Sequence, residues 1–329
     1  MLPGTLAGQY APAQMEVALA PLAQAAGAAL VAGNACGLDL ERRTVQFENH
    51  PPVPYDVLSV GVGSMPAGWL HYQHPAVVPI KPMQTFVDRI DQRIQAVNGA
   101  VERAKPIRIV IVGGGVAGIE VALCLQARLA THLPERQFSF TLATASDSLA
   151  SGMRTASVAK LQRILADRQV KVRSHFEVTA VQESYLESRD GQRIASDCAI
   201  WATHASAPPV LQKLRLPLAE DGFLAIDPTL QTTAGHPIFA VGDCGTIVQQ
   251  PHPKAGVFAV RQCPILWHNL HAILEDRPLR KYHAQRDFMK ILNTGEGKAL
   301  LEYKRFSFHA HWCWLLKSWI DRGFIKRYQ

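Results

Sequence analysis

Cysteine is sparse in this 329-residue chain and never closely paired: Cys36, Cys124, Cys198, Cys244, Cys263 and Cys313 include no C-x-x-C and no metal-like cluster. Neither a disulfide framework nor a zinc site is indicated, no metal is expected, and a reducing compartment fits such usage. Met1 to Ala26 lacks a basic stretch ahead of an apolar core, so no secretory signal is expected and the cytoplasm is the expected location. The longest apolar run, Ile109 to Leu125, approaches the length of a membrane span but contains three adjacent glycines and Glu120. It is better explained as soluble structure, and no transmembrane helix is expected. Short internal repeats and low-complexity tracts are also lacking. What is present is a 48% hydrophobic composition, enough for two or three domains with real cores and too much for disorder.

The formal charge of +7 is unevenly distributed. From Arg277 to Gln329 there are 12 Lys/Arg against 4 Asp/Glu, whereas residues 1–276 carry 22 against 23, so the whole basic excess lies in the tail. Such a tail suits an anionic membrane surface; nucleic acid is not an expected partner, since no recognised module accompanies the charge.

The most informative stretch lies mid-chain. Ile107 to Val112 has the character of a short buried strand and runs into Gly113-Gly114-Gly115-Val116-Ala117-Gly118, then into the helix-like run Ile119 to Leu125. Strand, G-x-G-x-x-G, helix is the context in which a glycine motif means dinucleotide binding. Gly113 permits the tight turn, Gly115 lets a pyrophosphate approach the backbone and Gly118 lets helix and strand pack closely, while the helix N-terminus offers free N–H groups.

Around this motif the spacing predicts a helix over Glu16 to Ala29, a strand edge at Leu30 to Ala32, strands at Thr44 to Phe47 and Val57 to Val62, and a helix over Asp88 to Ala100. Strands follow at Phe138 to Thr144, Val170 to Arg173, Glu177 to Gln182 and Cys198 to Ala202, with a helix over Arg154 to Asp167. Alternation of strand and helix at this spacing predicts a parallel, doubly wound sheet. Beyond Ala207-Pro208-Pro209, Phe223 to Ile226 and Ile238 to Val241 are short strands, followed by a helix over Lys254 to Leu274.

Ile238 to Val241 ends in Gly242-Asp243, an acid at the carboxyl end of a strand, where open α/β sheets bind ligands; a turn or helix-cap Asp is the structural alternative. Pro253-Lys254-Ala255-Gly256-Val257 then opens an apolar helix whose N-terminus can stabilise negative charge.

Gly113 to Gly118 with Glu120, Ile238 to Asp243, Pro253 to Gln262, and Pro54 to Ser64 together resemble the pyridine nucleotide-disulfide oxidoreductase superfamily. Within it the chain is most similar to type II NADH dehydrogenases, particularly flavoproteins fused to or associated with selenide, water dikinase; Met1 to Tyr10, Lys81-Pro82, Phe288 to Gly297 and Trp314 to Tyr328 also fit that group. The resemblance implies an α/β fold of two doubly wound, Rossmann-like domains with a small C-terminal α+β region. The divisions are 1–103 and 207–281 for a discontinuous FAD domain, 104–206 for an NAD(P)H domain and 282–329 for the C-terminal region. It implies that Asp243 hydrogen-bonds FAD, that Gly242 allows close approach, that Lys254, Ala255, Gly256 and Val257 border the flavin, and that Gly63 and Ser64 end a strand beside it. Gly113, Gly115 and Gly118 would hold the NAD(P)H pyrophosphate. Glu120, near the nicotinamide and flavin, and Lys81 are the candidate catalytic residues; a surface carboxylate and a plain surface lysine are the alternatives. The implied activity is transfer of hydride from nicotinamide to flavin and then of electrons to a quinone or another small acceptor.

Departures accompany the matches. Relatives begin with a strand and a G-x-G-x-x-G of their own, and nothing precedes Met1-Leu2-Pro3 here, so the FAD domain is expected to be N-terminally truncated and the chain a fragment. The competing expectation is a non-catalytic nucleotide-binding remnant unable to hold FAD. The end of the Phe138 to Thr144 strand offers Thr144 where an acid would select NADH, and no adjacent Arg to welcome a 2′-phosphate. His204 stands where many relatives have Gly and is expected to be a tolerated loop residue. The FAD-domain region before the mid-chain motif holds only Cys36, so electrons are expected to leave directly from flavin rather than through a dithiol.

In the tail, Trp312, Leu315, Leu316 and Trp319 recur at helical spacing, with Lys317, Asp321, Arg322 and Lys326 largely elsewhere. Such a helix either lies on an anionic membrane at the inner face, bringing flavin to quinone, or packs its stripe on the protein's own core or a dimer partner.

Overall fold

The computed structural model describes residues 1–285 and 287–329. The elements that position the sites are, in chain order, β1 (Leu58–Val60), β2 (Val77–Pro79), α1 (Phe86–Ala100), β3 (Ile107–Val112), α2 (Val116–His132), β4 (Phe138–Ala143) and α3 (Thr155–Asp167). They continue with β5 (Lys171–Arg173), β6 (Cys198–Trp201), β7 (Leu224–Ile226), β8 (Ile238–Ala240), β9 (Gly245–Ile247) and α4 (Gly256–Leu274). The chain closes with β10 (Lys290–Asn293), β11 (Ala299–Tyr303), β12 (Phe306–Ala310) and α5 (His311–Ile325). They fall into two compact units: one of Met1–Ala28, Pro66–His204 and residues 287–329, the other of Ala29–Met65 and residues 205–285.

The first unit is built on a five-stranded, all-parallel sheet in the order β2-β6-β3-β4-β5. Its central strand is apolar on both faces, as a strand covered on two sides must be. Ile107, Ile109 and Ile111 point into one core with Ile119, Leu123 and Leu125 of α2, while Val110 and Val112 point into another with Phe176 and Trp201. Helix α1 buries Phe86, Ile90, Ile94 and Val97, one stripe at helical spacing, against the same isoleucines. That packing is why residues 66–103 cluster with the Gly113 turn rather than with residues 29–65, whereas the resemblance places all of 1–103 in the discontinuous FAD domain. At the amino-terminal end of the sheet, Asp197 accepts hydrogen bonds from the Arg108 backbone N–H (2.8 Å) and Nε (2.9 Å), and its carbonyl accepts from Arg93. These bonds tie the starts of β3 and β6 to α1.

Residues Val178–Val181 do not join this sheet. They pair antiparallel with Tyr185–Ser188, which pairs with Arg193–Ala195, because connections of a few residues permit only antiparallel neighbours. Strand β2 takes the edge position instead. Near the N-terminus, the helix expected over Glu16 to Ala29 is shortened to Leu19–Ala25 after a 3₁₀ turn at Pro12–Met15, and the Leu30 to Ala32 edge gives way to a strand at Ala35–Asp39.

The C-terminal part of the first unit is an antiparallel meander, β10-β11-β12, closed by α5. Ala299, Leu301 and Cys313 form its small core with Trp314 and Leu316. The face of α5 is the reverse of the one its pattern suggests. Trp312, Leu315 and Trp319 are 49%, 49% and 74% exposed, whereas Lys317 and Asp321 turn inward and pair at 3.2 Å. Of the four stripe residues only Leu316 packs on the protein's own core, Trp312, Leu315 and Trp319 do not, and the pair Lys317 and Asp321 lies inward with Leu316. Among the described residues no helix is long and apolar enough to cross a membrane.

In the second unit two parallel ladders, β1 with β8 and β7 with β9, share a core in which Ile238, Phe239 and Ala240 are fully buried.

Candidate functional site

Because all five strands of the main sheet in the first unit run parallel, their carboxyl ends share one edge. That edge carries Lys81 just beyond β2, the Gly113 turn after β3, Thr144 after β4 and the Ala202–His204 segment after β6. Open α/β sheets bind ligands along such an edge. The three motif glycines meet different surroundings. Gly113 sits at φ +127°, and a Cβ there would overlap the Ala202 carbonyl; a Cβ at Gly118 would overlap the Gly113 carbonyl. Both are required by close backbone approach. Gly115, the N-cap of α2, meets nothing within 4 Å and has no side-chain cap, so the first turn of the helix faces an open cradle. That is the arrangement in which backbone N–H groups and the helix dipole hold a pyrophosphate. Thr144 is buried beneath Gly114, and its hydroxyl accepts from the Ser146 N–H at 3.2 Å. His204 is exposed, and its carbonyl accepts the Ala67 N–H.

Glu120, one turn into α2, is half-buried rather than on the surface. Its Oε1 accepts the Asn293 N–H of β10 at 2.7 Å, and the carboxylate faces the Lys317 and Asp321 pair of α5. Burial lifts its pKa above the ordinary carboxylate range, against the opposing pull of Lys317 and the Asn293 N–H. Burial also opposes the charge on Lys317, but Glu120 and Asp321 outweigh it and hold that ammonium above its ordinary value. The carboxylate is thus a participant in a charged cluster inside the first unit, a role with no sequence signal because α2 and α5 are distant in the chain.

In the second unit the parallel pairing of β1 with β8 brings the Gly63–Ser64 turn beside Gly242–Asp243. The Ser64 hydroxyl donates to Asp243 Oδ2 at 2.7 Å. Gly63, at φ +70°, and Gly256, at the start of α4, meet nothing within 4 Å, so both border open space. Gly242 takes φ +71°, a conformation that favours glycine. Ala255 is the N-cap of α4, again without a side-chain cap. Glycines that would project a Cβ into a cradle, an acid at a strand end and an uncapped 19-residue helix fit a flavin dinucleotide.

Lys254 stands differently from its neighbours Ala255 to Val257. Its ammonium donates to the Gly245 carbonyl (2.8 Å) and Thr246 Oγ1 (2.6 Å), lies 4.0 Å from the Phe223 ring centroid and sits 3.9 Å from Asp221. It bolts the strap ahead of α4 onto β9. Two residues without an assigned role in the sequence complete the site: buried Gln262, whose Oε1 accepts the Gly242 N–H at 2.7 Å, and His252, stacked on Phe258. Gln262 ends the Pro253 to Gln262 segment without a role read for it and His252 is unmarked, because their bonds appear only where the strap and the helix meet.

Several curated proteins are similar in sequence. The type II NADH:quinone oxidoreductase of Haemophilus influenzae is 27% identical over 57% of this chain and 45% of its own length. Human ferroptosis suppressor protein 1 is 25% identical over 76% and 65%. The alignments span about half the length of the first curated relatives matched. Among solved structures, the sulfide:quinone oxidoreductase of Aquifex aeolicus superposes with a TM-score of 0.80 over 99% of this chain and 81% of its own, at 17% identity, a likeness of fold. The sequence profile described as pyridine nucleotide-disulphide oxidoreductase matches residues 9–263, and the chain belongs to that family.

Proposed function

We propose that the protein is an FAD-dependent NAD(P)H oxidoreductase that passes electrons to a quinone or another small acceptor. The observation that carries this reading is the presence of two cradles of one kind, each an uncapped helix N-terminus beside glycines that open onto free space: Gly115 and α2 in one unit, Gly63, Gly256 and α4 in the other. Gly113, Gly115 and Gly118 would hold the nicotinamide dinucleotide through backbone N–H groups. Asp243, kept in place by Ser64, would accept a cofactor hydroxyl, and the α4 N-terminus would stabilise negative charge at the flavin's polar edge. When bound, the flavin supplies the hydride chemistry, accepting from the nicotinamide and delivering to the acceptor. Glu120, just beyond the Gly113–Gly118 motif, and Lys81, at the nucleotide edge of the sheet, would be the candidate catalytic residues. The related type II NADH:quinone oxidoreductase lends the acceptor class. Steady-state NADH oxidation with added FAD and a soluble quinone tests the reading, and no acceleration over protein alone contradicts it.

The outward stripe of α5 supports a peripheral membrane role. Trp312, Leu315 and Trp319, with Phe306 and Phe308 beside Lys304 and Arg305, offer apolar rings and positive charge together, the combination that anionic lipid takes up. Association with selenide, water dikinase is a further reading; it is supported by the resemblance of Phe288 to Gly297 and Trp314 to Tyr328, and co-purification of the two proteins tests it.

One observation favours a second reading, a nucleotide-binding protein that holds no FAD. Among the described residues, parallel pairing in the second unit is confined to two-stranded ladders. Such a protein would bind NADH at the Gly113 turn and remain colourless with FAD.

A further inference from the structure

We infer that His252 and Gln262 form a hydrogen-bond relay that positions the Gly242–Asp243 turn, and that the relay closes only while the His252 ring is neutral. The relay's atoms have one consistent assignment. The Pro253 carbonyl, 3.2 Å from His252 Nδ1, can only accept, so Nδ1 carries the ring proton and Nε2 presents a lone pair. Gln262 Nε2 lies 3.3 Å from that lone pair and donates to it. The amide oxygen of Gln262 is thereby turned toward Gly242, whose N–H donates at 2.7 Å. Gln262 is fully buried, so neither end of its amide finds water if a partner is lost. The turn it holds has little freedom: Gly242 lies at φ +71° and packs against Ala259, and the next residue, Asp243, accepts the Ser64 hydroxyl.

A second proton on the ring reverses one link. Nε2 becomes a donor facing the Gln262 amide NH₂, also a donor, and the contact turns repulsive. Flipping the amide repairs that end but presents NH₂ to the Gly242 N–H, so one bond is lost whichever way the amide stands. The groups facing His252 are Lys254 on the strap, Asp243 on the turn, the Phe258 ring stacked at 4.3 Å and the Tyr282 ring edge-on at 6.3 Å, with Arg261 beyond Tyr282. Burial, helped by Lys254, lowers the His252 pKa; the Pro253 carbonyl and Asp243 oppose the shift without cancelling it. The closed turn binds the proton less tightly than an opened one. The relay is therefore intact at neutral pH and weakens as pH falls below the ordinary histidine value of about 6.5.

That the relay governs flavin retention rests on the proposed cofactor site; its effect on the turn does not. Amide hydrogen exchange at Gly242 in the full chain, between about pH 5 and about pH 8 and with or without added FAD, separates the two. After correction for intrinsic exchange, wild-type protection should fall about tenfold across that range, the loss of one hydrogen bond. His252→Ala should lose a similar factor at every pH. His252→Gln, whose amide oxygen still accepts from Gln262, should keep protection and remove the pH dependence. Gln262→Glu, whose carboxylate accepts from both the Gly242 N–H and a protonated ring, should reverse the direction. A flat wild-type profile, or His252→Ala indistinguishable from wild type, overturns the relay. Exchange that behaves as expected but ignores FAD leaves the relay standing and removes the flavin reading.

Discussion

At the scale of single residues, the motif glycines separate two roles that look alike in the sequence. Gly118 is demanded by the fold, since a side chain there would overlap the Gly113 carbonyl, whereas Gly115 borders open space. Gly118→Ala should cost roughly 2 kcal/mol in urea denaturation through forced backbone shifts. Gly115→Ala should change stability by less than about 1 kcal/mol yet weaken NADH binding in fluorescence titration, because the new methyl occupies the pyrophosphate approach. Equal effects of the two substitutions on stability would contradict this division. Asp197 yields a pH-dependent case. Burial alone would raise its pKa, but the Arg108 N–H and guanidinium, with Arg93, overcome it and hold the carboxyl below its ordinary value. A carboxylate depressed in the folded state stabilises above its unfolded pKa of about 3.9 and loses that contribution as pH falls through the folded value. Asp197→Asn should thus cost roughly 1–3 kcal/mol at neutral pH and show a shallower decline of urea midpoint into acid than wild type.

At the scale of elements, the parallel sheet and the C-terminal helix were legible, but the face that helix buries was not. Ile107 to Val112 announces a central strand because every residue is apolar except Arg108, and the glycines after it allow one kind of turn. Strand β2 escaped because three residues ending in proline carry no period. The hairpin strands Tyr185–Ser188 and Arg193–Ala195 escaped because short polar strands resemble loops. The α5 stripe misled for an electrostatic reason. A half-buried Glu120 on α2 favours an inward cation, and Lys317 with Asp321 meets that need at the expense of Trp312 and Trp319, which face out. Two substitutions test this inversion. Lys317→Ala should cost roughly 3 kcal/mol, since it strands buried carboxylates, whereas Trp319→Ala should cost less than about 0.5 kcal/mol despite removing the larger side chain. Replacing Trp312, Leu315 and Trp319 together by Ser should leave the thermal midpoint nearly unchanged while abolishing flotation with anionic liposomes. Unaltered flotation would remove the membrane role.

At the scale of the whole molecule, the first cradle was readable because strand, glycine turn and helix are contiguous. The second is assembled from Gly63–Ser64 and Gly242–Asp243, which meet when β1 pairs with β8, and from Lys254–Val257, which Lys254 ties to β9. Its acid and its helix N-terminus could be named from the sequence, but the Lys254 bolt and the Gln262 bond could not, since each depends on a partner far along the chain. The account as a whole requires that both cradles take their dinucleotides in the same protein. The most direct measurement is the visible spectrum of the purified chain after incubation with FAD and removal of the excess, followed by anaerobic NADH. A yellow protein whose band near roughly 450 nm bleaches on NADH addition is the predicted result. A colourless protein, or a flavin band that NADH leaves untouched, would contradict it.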